Sequence, residues 1–344
     1  MKWKIAVCMF VILFLTSCSK NSNFYTPQDG IGMNYNNISS YNDFWLTNDS
    51  FCYLNNSLIQ EYVLVNESSK TKIGTNNGYG FGKIQKYKDR IYMLNECRAI
   101  DDYNSEYELK LFDIKSGKTF SICSIRNCDN FFILNDVLYY LEYKWTEKGR
   151  SLALKEYVFD SCQENTIAND VLSFGVVEDS VFYVVGKNDA ITIFEYDNEL
   201  ESSIECGKFA LEIIGACEIK NSLKVSYTPK CLLFSWVDYK TETSIVLKYS
   251  FKDGILNKMH IEGCIDGFIS YNEFSYFIVY YEQQSNSKLY KFDNTTNEIT
   301  QIAHIVGEGS LFVGSDDGAY VLENTSGFLK YYFEQGSSRI VCKI

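Results

Sequence analysis

The chain has 344 residues, with 32 Lys and Arg against 44 Asp and Glu and a formal charge of −12. That acidic balance excludes a nucleic-acid partner and charge-driven docking on anionic lipid. Histidine occurs only at His260 and His304, which excludes a histidine-rich metal centre and makes a Ser-His-Asp triad a poor fit; neither a metal nor a cofactor is expected.

The first feature in chain order is the opening "MKWKIAVCMFVILFLTSCSKNS". Lys2 and Lys4 precede an apolar run from Ile5 to Leu15, too short for a permanent span but the length of a secretory core. Leu15-Thr16-Ser17-Cys18 resembles the bacterial lipobox, in which the cysteine is acylated and becomes the first residue of the mature chain. The resemblance implies a signal peptide over 1–17, lipid attachment at Cys18 and membrane mooring through acyl chains. A plain signal peptide and an uncleaved anchor are the alternative readings. Loss of residues 1–17 removes Lys2 and Lys4 and takes the charge to −14. Ser19 then fits the outer membrane of a two-membrane cell; in a one-membrane cell the protein sits on the outer face of the cell membrane. Residues 18–40 are polar, carry Pro27 and form a tether.

From 41 to 344 the sequence repeats. A turn residue or acid followed by aromatic and β-branched residues recurs as "NDSFCYLNN" (from 48), "KDRIYMLNE" (88), "NDVLYYLEY" (135) and "EDSVFYVVG" (178). Weaker copies are "PKCLLFSWV" (229), "NEFSYFIVY" (272) and "DDGAYVLEN" (316), so successive starts differ by 40, 47, 43, 51, 43 and 44 residues. Each is followed by a run alternating apolar and polar residues and ending in turn formers, such as "ELKLFDIKSGK", "ITIFEYDNE" and "KLYKFDNTTNE". Short runs flank these two, such as "NFFILN" before and "KTFSICS" after. The unit is therefore four short strands in a meander, and no stretch holds a helical apolar period. The fold expected is all-β, a β-propeller of four-stranded blades, seven by this count with six and eight as alternatives. A pair of irregular sandwiches is the competing architecture. The fifth unit, "SLKVSYTPKCLLFSWV", reads either as two strands or as one bulged strand.

The pair "DRIYML" and "LKLFDIKSGK" resembles the turn and LYxxDxxTG pattern of bacterial lipoprotein propellers. "FWLTND" (44–49) is loosely similar to the YWTD repeat of low-density-lipoprotein-receptor propellers, and "GTNNGYGFG" (74–82) to the Gly-rich link of NHL-like propellers; each occurs once. These likenesses imply architecture and specify no activity.

Of the 12 cysteines, Cys123 with Cys128 is close enough in sequence to suggest a local bridge, and Cys206 with Cys217 a second; most others read as small buried apolar residues. "HIEGC" (260–264) alternates His260, Glu262 and Cys264, which along one strand would share a face, although a polar edge strand explains the pattern more simply. "SDDGAY" (315–320) partly resembles the sialidase Asp-box but lacks its trailing aromatic and reads as a turn of the last unit. No catalytic residue emerges, and an enzyme is the less favoured reading: a glycoside hydrolase or lyase would need two placed carboxylates that 44 acids conceal.

Binding is the favoured reading. The longest loops between second and third strands are 95–108, offering Asp101, Asp102, Tyr103 and Tyr107, and 142–151, offering Lys144, Trp145 and Arg150. They lie on neighbouring units and on one face, where Arg126 joins them from a link between units. Trp beside Arg is a composition enriched at protein interfaces and suited to stacking on sugars, so the partner expected is a protein or a polysaccharide. Solvated, freely varying loops are the bland alternative.

Mass spectrometry of the mature N-terminus is expected to find an acylated Cys18, and Cys18→Ser to release the protein from the membrane fraction. A free amino-terminal residue without lipid would refute the anchor.

Overall fold

A computed structural model describes the residues between 44 and 343 except 47–49, 56–59, 67–68, 77–82, 88, 102–103, 148, 178, 188–189, 199, 211–222, 229, 239–240, 242, 255, 272, 282–285, 308, 315–317, 324–325 and 327. Cys18, Asp102, Tyr103 and Cys217 therefore lie outside the described residues, as do the signal and tether segments.

The fold is all-β. Among the described residues the chain forms seven four-stranded antiparallel sheets, each a meander of consecutive strands. Sheet 1 comprises β1 (Phe44–Leu46), β2 (Ser50–Asn55), β3 (Gln60–Asn66) and β4 (Ser69–Asn76). Sheet 2 comprises β5 (Lys83–Tyr87), β6 (Arg90–Ala99), β7 (Ser105–Asp113) and β8 (Lys118–Arg126). Sheet 3 follows with β9 (Cys128–Leu134), β10 (Val137–Thr146), β11 (Gly149–Val158) and β12 (Gln163–Asn169). Sheet 4 has β13 (Val171–Val177), β14 (Ser180–Lys187), β15 (Ala190–Asp197) and β16 (Ser202–Ala210). Sheet 5 has β17 (Lys224–Tyr227), β18 (Cys231–Asp238), β19 (Thr243–Ser250) and β20 (Leu256–Glu262). Sheet 6 has β21 (Cys264–Tyr271), β22 (Phe274–Tyr281), β23 (Asn286–Asp293) and β24 (Ile299–Val306). Sheet 7 has β25 (Gly309–Gly314), β26 (Gly318–Glu323), β27 (Phe328–Phe333) and β28 (Ser338–Lys343).

Every recurring aromatic motif is a second strand, and every alternating run is a third. The fifth unit resolves into two strands, β17 and β18, where Thr228 N donates to Cys231 O at 2.9 Å across the turn. "HIEGC" does not share a face. Gly263 adopts φ +95°, so His260 and Glu262 end the outer strand of sheet 5 and Cys264 opens sheet 6.

Alternation leaves each sheet with apolar side chains on both faces, and these meet between sheets. One cluster (Tyr62, Ile84, Ile91, Met93) joins sheets 1 and 2. A larger one, including Leu109, Phe132, Tyr140 and Phe174, joins sheets 2, 3 and 4. Phe209, Phe234 and Trp236 belong to the layer between sheets 4 and 5, and Leu233, Phe268 and Phe277 to that between 5 and 6.

Polar contacts repeat with the sequence period. Thr119 Oγ1 donates to Ile73 O at 2.9 Å, joining sheets 2 and 1 across 46 residues. Gln85 reaches from sheet 2 to the backbone of sheet 3: its Nε2 donates to Ile133 O (3.3 Å) and its Oε1 accepts from Ile133 N (2.6 Å), across 48 residues. Tyr196 Oη donates to Glu156 Oε2 at 3.2 Å between sheets 4 and 3. Tyr249 Oη donates to Cys206 O at 3.0 Å between sheets 5 and 4. Gly207 makes room for that ring, since a Cβ there would lie 2.0 Å from the Tyr249 hydroxyl. Ser226 Oγ donates to Ser270 Oγ at 2.6 Å between sheets 5 and 6, and Lys291 Nζ to Glu334 Oε2 at 3.0 Å between sheets 6 and 7.

Gln85 is buried, so Gln85→Leu leaves the N–H and C=O of Ile133 without these partners. A loss of about 2–4 kcal/mol in urea unfolding is expected, consistent with two buried groups left unsatisfied. A variant as stable as the parent would show that the 2–3 junction does not rest on this side chain.

Candidate functional site

The two segments read from the sequence as long loops are largely ladders. In sheet 2, β6 runs to Ala99 and β7 restarts at Ser105, paired Ala99↔Ser105. In sheet 3, β10 and β11 stay paired to Thr146↔Gly149. Their neighbours stop earlier: β9 ends against Glu142 and β12 against Ala153. The three pairs Lys144↔Ser151, Trp145↔Arg150 and Thr146↔Gly149 therefore run beyond both flanking strands, while Tyr143 and Leu152 at their base stay packed: Tyr143 N donates to Asn127 O and Leu152 lies against the apolar cluster. At about 3.3 Å per residue this ridge rises roughly 10 Å beyond its flanking strands.

Trp145 and Arg150 lie opposite each other, so they share one face of the ridge. Trp145 is 53% exposed. The Arg150 guanidinium carbon sits 4.8 Å from the centroid of the Tyr143 ring, a cation–π contact that holds the cation beside the indole.

Lys144 belongs to the other face. Its Nζ lies 3.1 Å from Glu142 Oε2, which also faces Lys155 Nζ at 3.2 Å. Lys155 in turn donates to Glu164 Oε1 at 2.5 Å, and Tyr140 Oη donates to Glu164 Oε2 at 2.5 Å. The structure thus brings Trp145 and Arg150 together and places Lys144 in a separate ionic network.

At the tip of the sheet 2 hairpin, Asp101 is exposed and accepts from Asn104 Nδ2 at 2.9 Å through each carboxylate oxygen. Arg126 is exposed at the end of β8, opposite Glu106. Tyr107, by contrast, is drawn inward against the apolar cluster; burial first, then the neighbouring Tyr143 hydroxyl, push its hydroxyl pKa well above the ordinary range.

The residue that joins the two hairpins is Asn127. It adopts φ +52° in the link between β8 and β9, a conformation asparagine tolerates better than most residues. Its N–H donates to Ser105 O (2.8 Å), and its carbonyl accepts from Tyr143 N (2.8 Å). Its side chain accepts from Ser105 N (2.9 Å) and donates to Asn104 Oδ1 (2.8 Å). Ser105 Oγ also donates to Glu96 Oε1 at 2.5 Å. Sequence reasoning missed Asn127; the available signal was a lone turn former between two apolar runs, "SICSIR" and "CDNFFIL".

The cysteines at 97, 123, 128, 162, 206, 231 and 264 are thiols. The bridge expected between Cys123 and Cys128 is not formed, for a geometric reason. Five residues of mostly extended chain separate the two Cα atoms by roughly 16 Å, against the ~7 Å a disulfide spans. Cys128 is instead buried, its thiol 3.5 Å from Asn130 O. Among the described residues no group of three or more His, Cys, Asp and Glu could hold a metal ion.

No known protein family matches the chain, and no curated protein matches it in sequence. Solved structures do match in fold. The β-propeller domain of the Trilobed protease from Pyrococcus furiosus aligns at TM-score 0.56 and 14% identity, over 85% of this chain and 93% of that one. The tricorn protease aligns at TM-score 0.53 and 12% identity over 93% of this chain, which covers 35% of it. An uncharacterised protein of Listeria monocytogenes EGD-e aligns at TM-score 0.52 and 12% identity, over 92% and 95%. The chain is thus similar in fold to β-propeller domains, at identities that carry fold alone.

Burial opposes the charge of Glu164, but the hydrogen bonds from Lys155 and Tyr140 outweigh it and hold the carboxyl below the ordinary range. The ionised form therefore stabilises the fold above the unfolded-state pKa, and that contribution fades as pH falls through the folded-state value. Glu164→Gln is expected to lower the thermal midpoint at pH 7, with the deficit shrinking once pH drops below the ordinary 4.5. A deficit unchanged at pH 3 would show that the carboxylate's charge is not what matters.

Proposed function

We propose that the chain is a closed seven-bladed β-propeller, moored in the cell envelope by lipid on Cys18, that acts as a non-enzymatic binding module. The closed ring is supported by the first strands. β1 lies beside β5, β5 beside β9, and so on through β25, which in turn lies beside β1. Each sheet is one continuous segment, so closure would rest on packing between sheets 1 and 7 and not on a shared strand. Mooring rests on the lipobox resemblance. It places the protein at the outer membrane of a two-membrane cell or on the outer face of the cell membrane of a one-membrane cell.

The observation that carries the binding reading is the protruding ridge with exposed Trp145 and Arg150 on one side, the Arg150 cation lying over the Tyr143 ring at its base. Aromatic residues and arginine dominate the energy of many protein interfaces. A protruding ridge suits a partner that supplies the groove, which favours a protein over a glycan, because small-molecule and sugar sites are generally concave.

The rival is a glycoside hydrolase or lyase. A general acid needs a carboxyl whose pKa is raised. The described carboxylates with a displaced pKa, Glu108, Asp113, Glu164, Asp293 and Glu323, are all held low. The peptidase activity of the fold neighbours does not carry over at 12–14% identity.

The test uses the full chain in detergent, immobilised and exposed to envelope extract, with soluble polysaccharides in a parallel affinity gel. The double variant Trp145→Ala with Arg150→Ala is expected to weaken retention of the partner at least tenfold, about 1.4 kcal/mol or more. Its thermal midpoint should match the parent, since both side chains are exposed. Equal retention of every captured protein and polysaccharide by parent and variant would sink the ridge as the site.

A further inference from the structure

The outer strand of sheet 5 differs from the other six. In sheets 1, 2, 3, 4, 6 and 7 the pairing of third and outer strands is broken by a register shift. β19 and β20 instead stay in register from Tyr249↔Leu256 to Ser244↔Ile261. On its far side β20 pairs with no strand among the described residues. A regular, open edge of this kind is a template for one more strand.

The side chains of β20, Leu256-Asn257-Lys258-Met259-His260-Ile261-Glu262, select which strand that is. Lys258, His260 and Glu262 alternate, so they share one face, and all three are exposed. Cross-strand pairing carries that face from His260 through Ile245 to Trp236, on the side of sheet 4, and Lys258 Nζ lies 6.0 Å from the centroid of the Trp236 ring. Met259 and Ile261 take the opposite face, in the apolar layer shared with sheet 6. The order Lys-Met-His-Ile-Glu is a palindrome in charge and polarity. Reversed and laid beside itself, it sets Lys258 opposite Glu262, Met259 opposite Ile261 and His260 opposite His260. Opposite charges at directly paired positions stabilise an antiparallel ladder, and like charges oppose it.

We propose that β20 is a homodimerisation edge, which pairs antiparallel with β20 of a second copy of this chain about a two-fold axis at His260. The neighbouring symmetric registers are poorer. An axis at Met259 sets Lys258 against His260, and one at Lys258 sets two lysines face to face. An axis at Ile261 pairs only three residues of each strand, 260–262. The axis at His260 pairs five, 258–262, and meets each lysine with a carboxylate. Neutral imidazole both donates and accepts a hydrogen bond, so the two rings on the axis suit each other. The same charges oppose pairing with an arbitrary strand, which makes the edge selective for its own copy. The interface is isologous and closes at two subunits. It belongs to sheet 5 and does not depend on the binding role of Trp145 and Arg150 in sheet 3.

Sedimentation velocity on the full chain in detergent, at rising concentration, tests the edge. The parent is expected to pass from monomer to dimer. Lys258→Glu and, separately, Glu262→Lys set like charges opposite each other, and each should weaken self-association by about tenfold or more. The two variants mixed in equal amounts should associate with each other, because every charged pair across the axis is then opposite in sign. Lys258→Glu combined with Glu262→Lys in one chain should dimerise like the parent, which separates lost complementarity from damage to the fold. His260→Cys, treated with oxidised glutathione, should give a reductant-sensitive dimer with position 260 linked to position 260, since directly paired Cα atoms lie about 4.5–5.5 Å apart, within disulfide reach. A parent that stays monomeric up to about 0.1 mM overturns the proposal. So does a dimer that neither charge reversal weakens, or a pair of reversed variants that fail to associate when mixed.

Discussion

A four-stranded antiparallel sheet satisfies its interior backbone groups by itself, but it cannot bury two apolar faces by itself. That constraint governs this molecule. Each unit of about forty-four residues makes strands with side chains on both faces, so each sheet needs a neighbour on either side. The neighbours come from the adjacent repeats. The six inter-sheet hydrogen-bonded contacts described above accordingly span 40 to 48 residues, from Tyr196–Glu156 to Gln85–Ile133. The period visible in the sequence and the reach of these bonds are one quantity, measured once along the chain and once across the junction.

The same arrangement leaves an outer strand on every sheet with one edge unpaired, a template for unwanted pairing. Six of the seven outer pairings carry a register shift: Tyr62/Val63, Leu109/Lys110, Leu154/Lys155, Ile193/Phe194, Leu289/Tyr290 and Leu329/Lys330. A bulge there bends the edge away from a flat ladder. Only β19–β20 runs without one, and that outer strand carries Lys258 and His260 exposed. Charged and polar side chains are the other common protection of an edge.

Strand placement was legible in the sequence because alternation and turn formers are local signals. "KDRIYMLNE" and "ELKLFDIKSGK" mark β6 and β7 without reference to anything distant. What sequence reading could not supply were the relations between strands. The segment 142–151 looked like a loop because Lys, Glu, Gly and Arg are loop-rich, yet cross-strand pairing carries the ladder to its tip. Trp145 and Arg150 were legible as a pair by composition; their shared face followed only from register. Composition groups Lys144 with them, but one step along a strand reverses the face. Cys123 and Cys128 are close in sequence, whereas in the fold Cys123 pairs across β7–β8 with Leu109 and Cys128 is buried at the start of the next sheet.

The continuity of each sheet in sequence has a kinetic consequence. Each strand pairs with the one just made or the one about to be made, so hydrogen bonding needs no search along the chain. Chains dominated by such short-range contacts tend to fold quickly for their size. An emerging chain can complete one sheet, then cover its exposed face with the next as another forty or so residues arrive. In the closed ring proposed here, only β1 with β25 brings distant ends together. That meeting would come last, and before it the first and last sheets would each keep one apolar face open to solvent. A chain of this design would pass its most aggregation-prone moment just before completion.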